Sequence, residues 1–276
     1  MISLPFMLHI LLSVQGVGSA SGLVMLENQI YMVSDNSNYL YRVSTQDSTM
    51  EKVLVLDRGV NEQVPKKQKS DFEAITQLDS TLYLFGSGSG KSRQNWVRYD
   101  LATGERDSLD RSALYKKLQE RFAIAEDDFN IEGALFYGED LWLFNRGNGP
   151  GLKNGIFIVG KDDLEPKAFH AVPLARLGGI PLGFTDAILV NDRVYFTAAA
   201  EDSGSNYHDG GIAGTVLGCF DPKSMKMDFI ETLSTKQKFE GISLFKQTDS
   251  ALEFVLCEDP DSGMLTSTIY HLTVPR

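Results

Sequence analysis

Lys238-Phe239-Glu240-Gly241-Ile242-Ser243-Leu244 recurs, in varied form, at four other places in the chain. The other copies are Ser19-Ala20-Ser21-Gly22-Leu23, Asp71-Phe72-Glu73-Ala74-Ile75, Asn130-Ile131-Glu132-Gly133-Ala134 and Gly183-Phe184-Thr185-Asp186-Ala187-Ile188. Aligned, one column reads Ser21, Glu73, Glu132, Thr185, Glu240. The next position is small or acidic, and an apolar run follows. A second run comes after each copy, such as Ile30-Tyr31-Met32-Val33 or Leu141-Trp142-Leu143-Phe144. A third follows a Gly/Ser/Asn loop, such as Tyr39-Leu40-Tyr41 or Ile156-Phe157-Ile158-Val159. Short β-branched and aromatic runs separated by turn signals are strands.

Repeats of roughly 40–50 residues, each of a few strands, mark a β-propeller. The column residues stand 52, 59, 53 and 55 residues apart. From Glu240 through the C-terminus and round to Ser21 is 57 residues, one more unit. The fold expected is all-β, a five-bladed β-propeller occupying 1–276 as a single domain. The last repeat supplies only three strands, so residues near Phe6–Val14 should close it and remove the open sheet edge. The same segment has the apolarity of a signal-peptide core, but no Lys or Arg precedes it. It is read as a strand, which favours a cytoplasmic protein over a secreted or periplasmic one. In the second repeat, Leu114, Leu118 and Phe122 share one helical face and predict a helix over Ser112–Phe122, a lid or side decoration.

Of 276 residues, 42% are apolar, enough for a packed core, and the net charge is −11. That charge disfavours nucleic acid and anionic membrane as partners. A small anionic substrate or a protein ligand, met by a monomer, is expected. Cys219 and Cys257 do not make a disulfide framework and are read as core thiols. Gly86-Ser87-Gly88-Ser89-Gly90-Lys91-Ser92 lacks the first glycine of a phosphate loop, since Phe85 stands there. It is read as a loop between strands.

First strands of propeller blades line the central channel, so the column forms a ring. Three converging carboxylates repel one another, and a proton or a cation must relieve them. Ca²⁺ takes several oxygen ligands. Glu73, Glu132 and Glu240 with the hydroxyls of Ser21 and Thr185 suit it, and no His or Cys in the column invites zinc. The alternatives are a water-filled acidic tunnel, or glutamates spent on backbone N–H groups. The ends of second strands return to the same opening. Asp35, Lys91, Arg93, Arg146, Glu201, His208 and Glu258 should therefore surround it. Lys91, Arg93 and Arg146 suit an anionic group, and Asp35, Glu201 or His208 suits a base.

Ser19–Leu23, Phe72-Glu73-Ala74, Ile131-Glu132-Gly133, Gly183-Phe184-Thr185, Lys238–Gly241, Phe144-Asn145-Arg146 and Gly90-Lys91 together resemble the calcium-activated nucleotidases (apyrases) over nearly the whole chain. Thr185 replaces a serine of that pattern, and Gly147 stands where a second arginine would follow Arg146. The chain is also similar to bacterial propellers of unassigned role and to esterase-like phytase propellers. The resemblance implies a calcium-dependent hydrolase of phosphoric anhydrides or esters. A non-catalytic propeller pinned by a structural ion, and a lactonase- or esterase-like hydrolase, are the alternatives.

Overall fold

The computed structural model describes residues 6–202, 211–260 and 263–276. Each repeat forms one antiparallel sheet, and the five sheets make a five-bladed β-propeller. A strand β1 (Met7–Gln15) precedes the first blade, which comprises β2 (Ala20–Leu26), β3 (Gln29–Ser34), β4 (Tyr39–Ser44) and β5 (Met50–Leu54). Blade two has β6 (Phe72–Leu78), β7 (Thr81–Gly86), β8 (Asn95–Asp100) and β9 (Arg106–Asp110), followed by the helix α1 (Ser112–Phe122). Blade three has β10 (Ile131–Tyr137), β11 (Asp140–Asn145), β12 (Gly155–Gly160) and β13 (Pro166–Ala171). Blade four begins with a short strand β14 (Arg176–Leu177) and continues with β15 (Ile180–Val190), β16 (Arg193–Glu201), β17 (Ile212–Asp221) and β18 (Lys226–Ser234). Blade five has β19 (Phe239–Gln247), β20 (Ala251–Glu258) and β21 (Thr266–Pro275), and β1 completes it as the outer strand.

Register pairs running from Met7↔Thr273 to Gln15↔Thr266 fasten the chain ends together. The inner strands β2, β6, β10, β15 and β19 touch in a closed circle, β19 returning to β2. Inner hairpins turn on a left-handed residue, Glu27, Asp79, Gly138 or Asn191. Asn, Asp and Gly tolerate that conformation best.

Burial follows the pairing of blades rather than a single centre. Five apolar clusters lie between successive blades: Val33, Leu40 and Phe72 between blades one and two, for example, and Phe144, Phe184 and Phe196 between three and four. The inner strands approach most closely just past the column. A Cβ on Gly241 would stand 3.0 Å from the Leu23 nitrogen, and one on Gly133 would stand 3.0 Å from Asp186 Cα. This close approach explains the small residue in that position. Helix α1 is not a lid. Leu114, Tyr115 and Leu118 are buried in the apolar cluster between blades two and three. Cys219 and Cys257 are buried free thiols.

Candidate functional site

All five column residues occupy the same structural position. Pairing of the first with the second strand skips one residue in every blade: Ser21, Glu73, Glu132, Thr185 and Glu240. A bulge of this kind leaves its extra residue outside the ladder and re-aims the side chain. The three glutamates converge. Burial first, then Asp71, Glu132, Asp35 and Glu240, lift Glu73 well above the usual carboxylate range. Burial also lifts Glu132 and Glu240, against the pull of Arg146 and Lys238.

The two hydroxyl members are committed to holding blades together. Ser21 Oγ donates to the Phe72 carbonyl at 2.5 Å, and Thr185 Oγ1 to the Phe239 carbonyl at 2.7 Å. Thr185 has one hydroxyl proton, so Thr197, 2.9 Å away, is the donor in their contact. Each hydroxyl thus binds the carbonyl just before the next blade's column glutamate.

Two ion-pair networks fill the mouth. In the first, Lys69 Nζ joins Asp35 to Asp71, at 2.9 Å from Asp71 Oδ1. Arg93 lies 2.7 Å from Asp71 Oδ2 and bonds Ser89 and the Lys66 carbonyl. Burial opposes charge on Lys69, but Asp71 and Asp35 raise its pKa. Burial would lift Asp71 too, yet Lys69 and Arg93 hold it below the usual value. In the second network, Arg146 lies 2.7 Å from Glu201, 3.3 Å from Glu132 and 3.8 Å from Glu240. Lys238 lies 3.1 Å from Glu240, 3.6 Å from Asp259 and 3.7 Å from Glu201. Asn130 donates to Glu132 at 2.6 Å.

Sequence reasoning placed Asp35, Glu201, Arg93 and Arg146 at this opening, and they are there, already bound to protein charges. Lys91 is exposed on the turn Lys91–Arg93, without an ion pair or hydrogen bond among the described residues. His208 lies outside the described residues. Glu258 accepts the Tyr270 hydroxyl, and its neighbour Asp259 is the one facing Lys238. Lys69, Asp71, Asn130, Lys238 and Asp259 were not anticipated. For Asp71, Asn130 and Lys238 the signal was present: each stands two before the column, and alternate residues of a strand share a face. Lys69 carries no such mark among the lysines of its loop.

Among the described residues, seven carboxylates (Asp35, Asp71, Glu73, Glu132, Glu201, Glu240, Asp259) thus meet four cations (Lys69, Arg93, Arg146, Lys238). Glu73 makes no ion pair or hydrogen bond among the described residues. One oxygen from each of Asp35, Asp71 and Glu73 lies within 4.8 Å of the others. Asp35 Oδ1 is buried without a hydrogen bond among the described residues, and Asp71 Oδ1 meets only the Lys69 ammonium, at 2.9 Å. An all-oxygen set with unsatisfied atoms fits a hard cation. It differs from the expected ring set, in which only Glu73 is shared, because Arg146 and Lys238 lie against Glu132 and Glu240. Beside the second network a cavity of about 370 Å³ opens between blades three and four, lined by Arg146, Gly183, Ala199 and Glu201 among others.

No curated protein matches the chain in sequence. Among solved structures, glutaminyl cyclase from Myxococcus xanthus superposes with a TM-score of 0.58 at 11% identity, covering 99% of both chains. The PQQ-bound aldose sugar dehydrogenase from Streptomyces coelicolor gives 0.57 at 13%, covering 99% of this chain and 100% of the other. The GH43_1 enzyme from Xanthomonas citri, complexed with xylose, gives 0.57 at 13%, covering 98% and 90%. At such identity these likenesses show the fold alone. They agree with the similarity to propellers of unassigned role, whereas the apyrase likeness is carried by motif residues only. Residues 16–274 match the "Family of unknown function (DUF6929)", and the chain belongs to that family.

Proposed function

We propose that this protein is a calcium-dependent hydrolase working at the channel mouth, with Asp35, Asp71 and Glu73 as the cation's ligands. What supports the reading is Glu73: a carboxylate with no ion pair or hydrogen bond among the described residues, in reach of Asp35, whose Oδ1 lacks a hydrogen bond, and of Asp71. A hard cation there would relieve their repulsion and polarise a substrate oxygen such as that of a phosphoryl group. Lys69 would yield its place between the aspartates to that ion. Glu201 and Glu240 flank Lys238 Nζ, at 3.7 and 3.1 Å. Glu201 is assigned as the base that takes the proton of the attacking water. Glu240, its pKa raised by burial, is assigned as the acid that returns a proton to the leaving oxygen. A second reading, a metal-free binding propeller, draws on one observation: Lys69 already bridges Asp35 and Asp71.

Melting curves in Ca²⁺ and in chelator, with phosphate release from a nucleoside diphosphate, test the reading. At a hundredfold excess over Kd a ligand adds about 2.7 kcal/mol to stability. For a chain of this size that is roughly 5–10 °C. Glu73→Gln should abolish the shift and the turnover together. A wild-type protein whose melting ignores Ca²⁺, or a Glu73→Gln protein that still responds, overturns it.

A further inference from the structure

Above the column lies a second ring of paired positions, each formed by the residue two before the column and its partner on the second strand. Backbone hydrogen bonds join Ser19 with Asp35, Asp71 with Ser87, Asn130 with Arg146, and Lys238 with Asp259. In blade four the pair is Gly183 and Ala199. At these positions the other four blades carry polar side chains, and blade four carries none. The 370 Å³ cavity lies against this bare pair.

The missing side chains uncover one edge of Arg146. Its terminal nitrogens lie against Glu132, Glu201 and Glu240, but its Nε–H makes no hydrogen bond among the described residues. A Cβ on Gly183 would stand 3.6 Å from that Nε and 2.7 Å from Arg146 Cγ, so only glycine leaves the edge open. The cavity lining holds Arg146 and Arg176 against Glu201 and Asp202, a balance of charge that the rest of the mouth lacks. Its outer wall is apolar, with Pro173, Leu174 and Ile180. A volume of this size suits a small organic molecule.

We propose that the notch in blade four binds a small organic oxyanion, its charged head on the Arg146 edge and its aryl or alkyl body on the Leu174 and Ile180 wall. This goes beyond the hydrolase reading and rests on it only in taking the mouth as the working face. The head approaches through blade four because the acidic excess elsewhere repels it. Carboxylate, phosphonate and phosphate monoester heads share the required chemistry.

The test is saturation binding of phenylphosphonate by calorimetry in chelator-treated buffer, which removes any dependence on a metal. Benzoate is run beside it to separate the two head groups, with benzylamine and benzyl alcohol as the cationic and neutral controls. Leu174→Trp and Ile180→Trp each fill the cavity from its outer wall, away from both ion-pair networks, and their melting curves establish that they fold. Each should weaken at least one oxyanion about tenfold or more. Glu73→Gln should bind as the wild type does, even where the calcium reading fails. The proposal is overturned by wild-type protein that saturates with neither oxyanion. It is equally overturned by folded wall variants that bind unchanged, or by benzylamine binding as tightly as the anions.

Discussion

Asp186 occupies the position after the column where the other repeats carry Gly22, Ala74, Gly133 and Gly241. Its carboxylate accepts N–H bonds from Ala187 and, on the next blade, Ile242, both at 2.8 Å. Burial lifts its pKa well above the ordinary 3.8, even against these two donors. The folded state therefore holds this proton more tightly than the unfolded chain does. The stability so gained is complete below about pH 4 and is lost as pH rises through the raised value. Asp186→Asn has no proton to lose and one fewer acceptor site. Urea midpoints should place it about 1–2 kcal/mol below wild type near pH 5, with the gap narrowing toward pH 9. A gap independent of pH would refute the assignment. The sequence marked Asp186 as the odd member of its position but gave no sign of the Ile242 bond, which spans 56 residues. The glutamate column was legible because chemistry repeats there. Its cation Lys69 was not, since nothing sets it apart from the other lysines of its loop.

Helix α1 shows how an element can be legible while its role is not. The spacing of Leu114, Leu118 and Phe122 fixed its existence and bounds. What the spacing could not reveal is Tyr115, which lies between two of those residues in sequence and is fully buried. Its hydroxyl donates to the Gly86 carbonyl and receives the Trp96 indole N–H, both at 2.6 Å. The insertion therefore completes the hydrogen bonding of the second and third strands of blade two. Rings of Trp96, Tyr115, Phe129 and Phe157 continue from it into blade three. Tyr115→Phe keeps the ring and removes the hydroxyl, leaving a buried donor and a buried acceptor without each other's bridge. The expected loss is about 2 kcal/mol, read as a lower urea midpoint with a changed Trp fluorescence signal. An unchanged midpoint would return α1 to the status of surface decoration.

At the scale of the whole molecule, the circle is closed by backbone pairing between residues far apart in the chain. The arithmetic of the repeat spacing required a strand near residues 6–14, and β1 pairs there with β21. Within β1, Val14 is buried and Leu11 and Leu12 pack with it on the cluster between blades five and one, while Met7 and Ile10 are exposed. Two further contacts cross the same join: Cys257 Sγ reaches the Ala20 carbonyl at 3.6 Å, and Gly241 packs against Gly22. Deleting residues 1–15 leaves those contacts possible but strips β21 of its outer partner, leaving it paired with β20 alone. A long unpaired edge recruits other chains. The truncated protein should therefore elute as larger species than the full chain on size exclusion and melt below it. A synthetic peptide spanning 6–15, added in excess, should re-pair with β21 by strand addition and restore the elution position of the full chain. A truncated chain that elutes as the full chain does, or one the peptide cannot rescue, would mean that the inner ring of strands closes the propeller without the outer clasp.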